Sequence, residues 1–269
     1  MLVLLQENCR YVFRSKMIYL ILVFSSLVHL AGMKFLNHLT LSIQGVVSII
    51  GPKEAVYTAL FLQVFSSLSI ASVYGIWMAP YAHRGEKSIL THVLPVPKIQ
   101  FPICYIICCG LLLLINFIVM IVTFVSVFGF SSLNPELFPW IFILKTFLFQ
   151  WLCLEVLMLG LALSSLMFGQ VATFFISGSL LFVLQIVGTF ARFFKEAAEE
   201  SYFSAKGILV WLYLKLPPFG SFVFDLKELM SSGRIPFENL ILWVVWLVLF
   251  SLLFWAKVRY PNPARSTEA

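Results

Sequence analysis

Aspartate is almost missing from this chain. Asp225 is the only one in 269 residues, so the paired aspartates that hold metal for prenyl or phosphoryl transfer have no source here. Charge of either sign is scarce, at 11% of residues against about 25% in soluble domains, which excludes an ordinary soluble fold. No Gly-rich phosphate loop followed by Lys-Ser/Thr is present, so ATP binding of that kind is excluded. The four histidines, His29, His38, His83 and His92, show no HExxH or comparable metal spacing. Cys9, Cys104, Cys108, Cys109 and Cys153 lie within or beside apolar stretches, which argues against a disulfide framework. No Ser or Cys nucleophile has an evident base beside it. The chain is therefore not expected to be an enzyme or to hold a metal or cofactor of its own.

What fills the space is apolar. Hydrophobic residues make up 61%, Phe alone contributes 28, and the mean hydropathy is +0.99. A membrane-crossing helix needs about 20 apolar residues, and six such stretches run approximately over 17–34, 56–80, 101–129, 139–168, 171–192 and 239–257. The expected fold is all-α: a polytopic integral membrane protein of six spans forming one domain over 1–269. No small-residue cleavage site follows the first apolar run before Met33-Lys34, so that span is expected to be retained.

The charge pattern orients these spans. With both termini and the loop 81–100 on one side, that side carries Arg10, Arg14, Lys16, Arg84, Lys87, Lys98, Lys257, Arg259 and Arg265 against Glu7, Glu86 and Glu268. The loops opposite carry as many acidic as basic residues, and Lys145 and Glu155 cancel within a span. The whole formal +6 therefore falls on one side. Short loops rich in Lys and Arg stay in the cytosol, which places both ends there. The same bias accounts for the pI near 9.1 without nucleic acid, because the cations hug span ends and form no stripe.

Between the spans, residues 1–16 interleave Leu4, Leu5, Val12 and Phe13 with Glu7, Arg10, Arg14 and Lys16, as in a short amphipathic helix on the cytosolic surface. A modest outer loop, 35–55, follows the first span. In the cytosolic loop, Ile89, Leu90, Val93 and Leu94 share one face at helical spacing. Pro95 and Pro97 stop that helix, since proline lacks the N–H and clashes with the preceding turn. A compact, proline-bounded helix flanked by His83, Arg84, Lys87 and Lys98 suits docking to a soluble partner; lying on the lipid is the plainer reading. SSLNPELFPW (131–140) is a tight outer turn with Trp140 at the interface, and MFGQVAT (167–173) closes a hairpin between the fourth and fifth spans. The outer loop 193–238 joins an acidic–basic stretch to an apolar patch (208–222) too interrupted to span.

Polar groups inside spans are costly and so become candidates for function. Glu155 and Gln150 in the fourth span, Asn116 in the third and Gln185 in the fifth mark a possible translocation path, with Glu155 its sharpest member. The competing reading is hydrogen bonding between helices, favoured for Gln150, Asn116 and Gln185. Cys104, Cys108 and Cys109 read as small buried apolar residues rather than soft-metal ligands.

Three stretches carry a family resemblance. The chain from Glu7 to FRSKMIYLIL (13–22), the loop from Arg84 ending Pro95-Val96-Pro97-Lys98, and the Ser-rich hairpin LGLALSSLMFGQVATFFISG (159–178) together resemble the permease subunits of type-2 ATP-binding-cassette (ABC) exporters, over essentially the whole chain. The chain departs from that pattern in having no Gly-Thr ahead of the coupling helix, where Gly85-Glu86 stands, and no Gly-Lys after it, where Phe101-Pro102 stands. The resemblance implies a permease domain that pairs with a second copy or a homologue in a bacterial inner membrane. A separate ATPase subunit would supply ATP and Mg²⁺ chemistry. It would dock on His83, Arg84, Glu86, Lys87, Ile89, Leu90, Val93, Leu94, Pro95 and Lys98, and the outer loop with Pro217 and Pro218 would form an outer gate. Other readings stay open: the energy-coupling subunit of an importer, echoed by Ala82-His83-Arg84-Gly85, a non-transporting scaffold or assembly factor, and a channel or secondary carrier.

Overall fold

Leu5, Cys9 and Val12 recur at helical spacing, and the chain winds them onto one face of helix α1 (Leu2–Arg14). The computed structural model describes residues 2–38, 40–43, 46–49, 52–83, 97–136, 138–189 and 237–259, with Phe222, Asp225, Leu226, Glu228, Leu229 and Gly233 in between the last two. Val12 is fully buried, and Leu4, Leu5, Cys9 and Tyr11 pack on the same apolar cluster. Glu7 and Arg10 pair at 2.8 Å on the exposed face, a surface contact that contributes about 0.2–1 kcal/mol. At Ser15 the chain turns into α2 (Lys16–His38): the Ser15 amide donates to the Val12 carbonyl at 3.0 Å.

The stretch read as a plain outer loop, 35–55, holds more structure than expected. Helix α2 extends into it, and β1 (Thr40–Ile43) pairs antiparallel with β2 (Val46–Ile49), Thr40 opposite Ile49 and Ile43 opposite Val46. The β-branched residues of TLSI and VVSI suit a pleated ribbon; a run of four is too short to stand out beside spans of 20.

Helix α3 (Pro52–Val73) continues without a break through a π-turn, Tyr74–Met78, and a 3-10 turn, Ala79–His83. The remaining long helices are α4 (Gln100–Phe128), α5 (Trp140–Phe168), α6 (Gln170–Thr189) and α7 (Phe237–Arg259). Five helical stretches among the described residues are long and apolar enough to cross a membrane: Lys16–Phe35, Ala55–Tyr81, Gln100–Phe128, Trp140–Phe168 and Asn239–Arg259. The protein is membrane-embedded. The expected fifth span, 171–192, is not among these five; helix α6 covers Gln170–Thr189, and residues 190–192 lie outside the described residues.

The connections are tight. Between α4 and α5 a 3-10 turn, Phe130–Leu133, is closed by the Trp140 indole donating to the Leu133 carbonyl at 3.2 Å. Between α5 and α6 stands Gly169 alone, at φ +86°, its amide donating to Ser165 at 3.1 Å. A residue with a Cβ would be strained there.

Helix α2 packs on α3 and α4, α3 on α4 and α5, α7 along α5, and α1 across α4. Two apolar clusters form. One, at the end where α1 lies, includes Ile18, Ile70, Leu112, Leu113, Leu154 and Phe254. The other, at the opposite end, includes Met33, Leu60, Phe117, Phe124 and Phe147. A third patch seats Phe222, Leu226 and Leu229, from the stretch expected to form the large outer loop, against Trp243 and Val156. The single aspartate, Asp225, is buried there and accepts from Asn239 at 2.7 Å.

Candidate functional site

Between the two end clusters each of four helices contributes polar side chains at one level. On α2 they are Ser25 and His29, one turn apart; on α3, Gln63, Ser66 and Ser67; on α4, Asn116; on α5, Gln150. All but Ser66 are buried, at 2% exposure or less. Hydrocarbon offers them no partners, so they find one another. Ser25 Oγ donates to Asn116 Oδ1 at 2.6 Å, and Asn116 Nδ2 donates to Ser66 and Ser67 at 2.8 and 2.9 Å. Gln63 Nε2 reaches Ser67 at 3.1 Å, and Gln150 Nε2 stands 3.5 Å from the Gln63 carbonyl. Asn116 is the hub.

The edges of this layer are unfinished. His29 Nδ1 lies 2.7 Å from the Ser25 carbonyl; a carbonyl only accepts, so Nδ1 carries a proton and the neutral ring leaves Nε2 as an acceptor. His29 Nε2, Gln63 Oε1 and Gln150 Oε1 have no hydrogen-bond partner among the described residues. The chemical capacity of the layer is therefore to accept bonds from a donor group, water included.

Glu155 sits about a turn and a half beyond Gln150 on α5, 1% exposed. Its Oε1 accepts from the Trp151 indole at 2.9 Å, while Oε2 has no partner among the described residues. Trp151 covers Gly110 of α4 so closely that a Cβ there would fall 2.8 Å from its indole nitrogen. The carboxyl thus lies at the α4–α5 contact.

A different site forms at the end of the fold where α1 crosses α4. His83, the first residue of the expected docking set, stands 2.8 Å from the Tyr105 hydroxyl through Nε2. Its ring packs edge-on against Phe101 (4.8 Å) and Phe254 (5.6 Å). Where the chain returns, Lys98 Nζ lies 5.9 Å from the centre of that same Phe101 ring. His83 and Lys98 thus share one aromatic cluster. Beneath it the π-turn keeps α3 close to α5. A Cβ on Gly75 would meet the Met158 carbonyl at 2.6 Å, and Ser165 Oγ donates to the Ile76 carbonyl at 2.7 Å. Helix α1 is bound to the same region. Asn8 donates to the Tyr74 hydroxyl at 2.9 Å, and the Cys9 and Cys108 sulfurs lie 3.2 Å apart. Tyr11 stacks on Tyr81 at 4.3 Å, and burial raises its phenol pKa.

Of the residues singled out from sequence, the structure brings Asn116 and Gln150 into one layer, sets Glu155 apart from it, and places His83 and Lys98 on the cluster. Arg84, Glu86, Lys87, Ile89, Leu90, Val93, Leu94 and Pro95 lie outside the described residues, as do Pro217 and Pro218 and the side chain of Gln185. Sequence reasoning missed Ser25, His29, Gln63, Ser66 and Ser67. A signal was present: Ser25 and His29, like Gln63 and Ser67, stand four apart in the middle of apolar runs, on one helix face. No known protein family, curated protein or solved structure matches the chain.

Proposed function

We propose that this chain is the membrane-spanning permease subunit of an ABC exporter, with six spans, both ends cytosolic, in a bacterial inner membrane. Two copies, or this chain and a homologue, pair in the bilayer, and each couples to a separate ATPase subunit that holds ATP and Mg²⁺. One observation carries the reading: His83 and Lys98, on either side of residues 84–96 in the sequence, both pack on Phe101. A push from an ATPase docked on His83 and Lys98 passes through the Phe101 ring to α4 and through Phe254, beside His83, to α7. The buried carboxyl of Glu155 supports a translocation role, because an ionisable group in a span marks a path for polar cargo by default. In this reading Gln150, Asn116 and Gln185 border that path, and Pro217 and Pro218 belong to the outer gate.

Purification of the tagged chain from its host in mild detergent, followed by mass spectrometry, tests the proposal. A stoichiometric nucleotide-binding subunit is expected. Combining Leu90→Glu with Leu94→Glu should release it while the helical circular dichroism stays unchanged. A folded wild-type chain that reproducibly carries no ATPase overturns the proposal in favour of a membrane scaffold.

A further inference from the structure

Where α4 begins beside the end of α7, Pro97, Lys98, Ile99, Leu252, Trp255 and Arg259 line a groove of about 480 Å³. Its walls change character with depth. Arg259 is the last residue of α7 and Lys98 precedes the first turn of α4, so both cations stand at the rim. Leu252 lies seven residues back along α7, about 10 Å deeper at 1.5 Å per residue. Leu252 and Ile99 are 48% and 38% exposed, so the groove opens sideways, where hydrocarbon surrounds the bundle. Rings hold the cations in place: Arg259 Cζ is 5.3 Å from the Trp255 ring centre, and Lys98 Nζ is 5.9 Å from that of Phe101.

We propose that this groove binds one anionic phospholipid, its phosphate between Lys98 and Arg259 and the upper part of an acyl chain against Ile99, Leu252 and Trp255. Charge complementarity selects the headgroup. Described residues at this end include Arg10, Arg14, Lys16, Lys98, Lys257 and Arg259 with Glu7 as the acidic counterpart, and basic pockets between spans on the cytosolic side suit anionic lipid. An indole at headgroup depth completes the pattern. A soluble anion would use the cations but leave the apolar wall bare, and a choline headgroup would bring its ammonium against two cations. The bound lipid bridges the start of α4 and the end of α7. The proposal stands whether or not the chain is a transporter.

Native mass spectrometry of the full chain with equal amounts of phosphatidylglycerol and phosphatidylcholine tests it. Selective retention of phosphatidylglycerol is expected. Lys98→Gln with Arg259→Gln should weaken that retention about ten- to thirtyfold, the scale of two cations acting near a membrane surface. Leu252→Trp, which fills the apolar wall and spares both cations, should weaken it as well. Lys145→Gln removes an exposed cation near the other end of α5 and should change nothing. Equal retention of the two lipids, retention unaffected by either groove variant, or displacement by excess inorganic phosphate each overturns the proposal.

Discussion

Asn116 and Glu155 are both buried polar side chains in neighbouring helices, and the fold treats them in opposite ways. Asn116 spends its amide on three bonds of 2.6–2.9 Å that reach α2 and α3. Glu155 takes one bond, from Trp151 on its own helix, and leaves its second oxygen without a partner among the described residues. Asn116 has its amide fully engaged and locks three helices in register. The region around Glu155 is not closed, so the carboxyl holds nothing together. Burial is the same for both; what differs is the number of bonds and whether they cross to other helices.

Three changes test that contrast. Asn116→Leu strips three interhelical bonds and strands hydroxyls on two partner helices. At roughly 0.6–2 kcal/mol per bond, it should cost about 2–6 kcal/mol, read by denaturant unfolding in detergent. A loss near zero would put Asn116 on the same footing as Glu155 and end the distinction. Gly75→Ala moves the helix that carries Glu155 and leaves the Asn116 hub untouched. Its Cβ would stand 2.6 Å from the Met158 carbonyl and 3.1 Å from Leu161 Cβ, so overpacking should cost about 1–3 kcal/mol; wild-type stability would mean that α3 and α5 separate freely. Glu155→Gln keeps an oxygen for Trp151 and nearly the same volume, so the stability cost should stay under about 1 kcal/mol. Under the transport reading, ATP-dependent export falls in that variant. Destabilisation as large as that of Asn116→Leu would instead return Glu155 to the structural frame.

Much of the frame is legible without coordinates. The expected span 139–168 differs from α5 by one residue, and 101–129 from α4 by one at each end, because a window of 20 apolar residues is a strong signal and loop polarity cuts it off sharply. The amphipathic face of residues 1–16 was equally visible. What covers that face was not: Val12 is buried in the cluster shared with α2, α3, α4, α5 and α7, whereas spacing alone suits lipid as well as protein. Glu155 could be picked out because a charge inside an apolar run is conspicuous. Ser25 and Gln63 stood out less, since their signal is only a spacing of four to His29 and Ser67 on one helix face.

The amino-acid sequence by itself determined that this chain enters a membrane and, to within a residue, where α4 and α5 begin and end. Those properties depend on summed transfer free energies of contiguous residues, and so they are written locally. The tertiary structure decided which polar groups meet. Ser25 and Asn116 are 91 residues apart, Gln63 and Gln150 are 87, and Cys9 and Cys108 are 99. Hydrogen bonds act over about 3 Å, so only helix packing selects those partners. The same packing joined Gly75 to Met158, brought His83 and Lys98 to Phe101, and left one oxygen of Glu155 without a partner among the described residues.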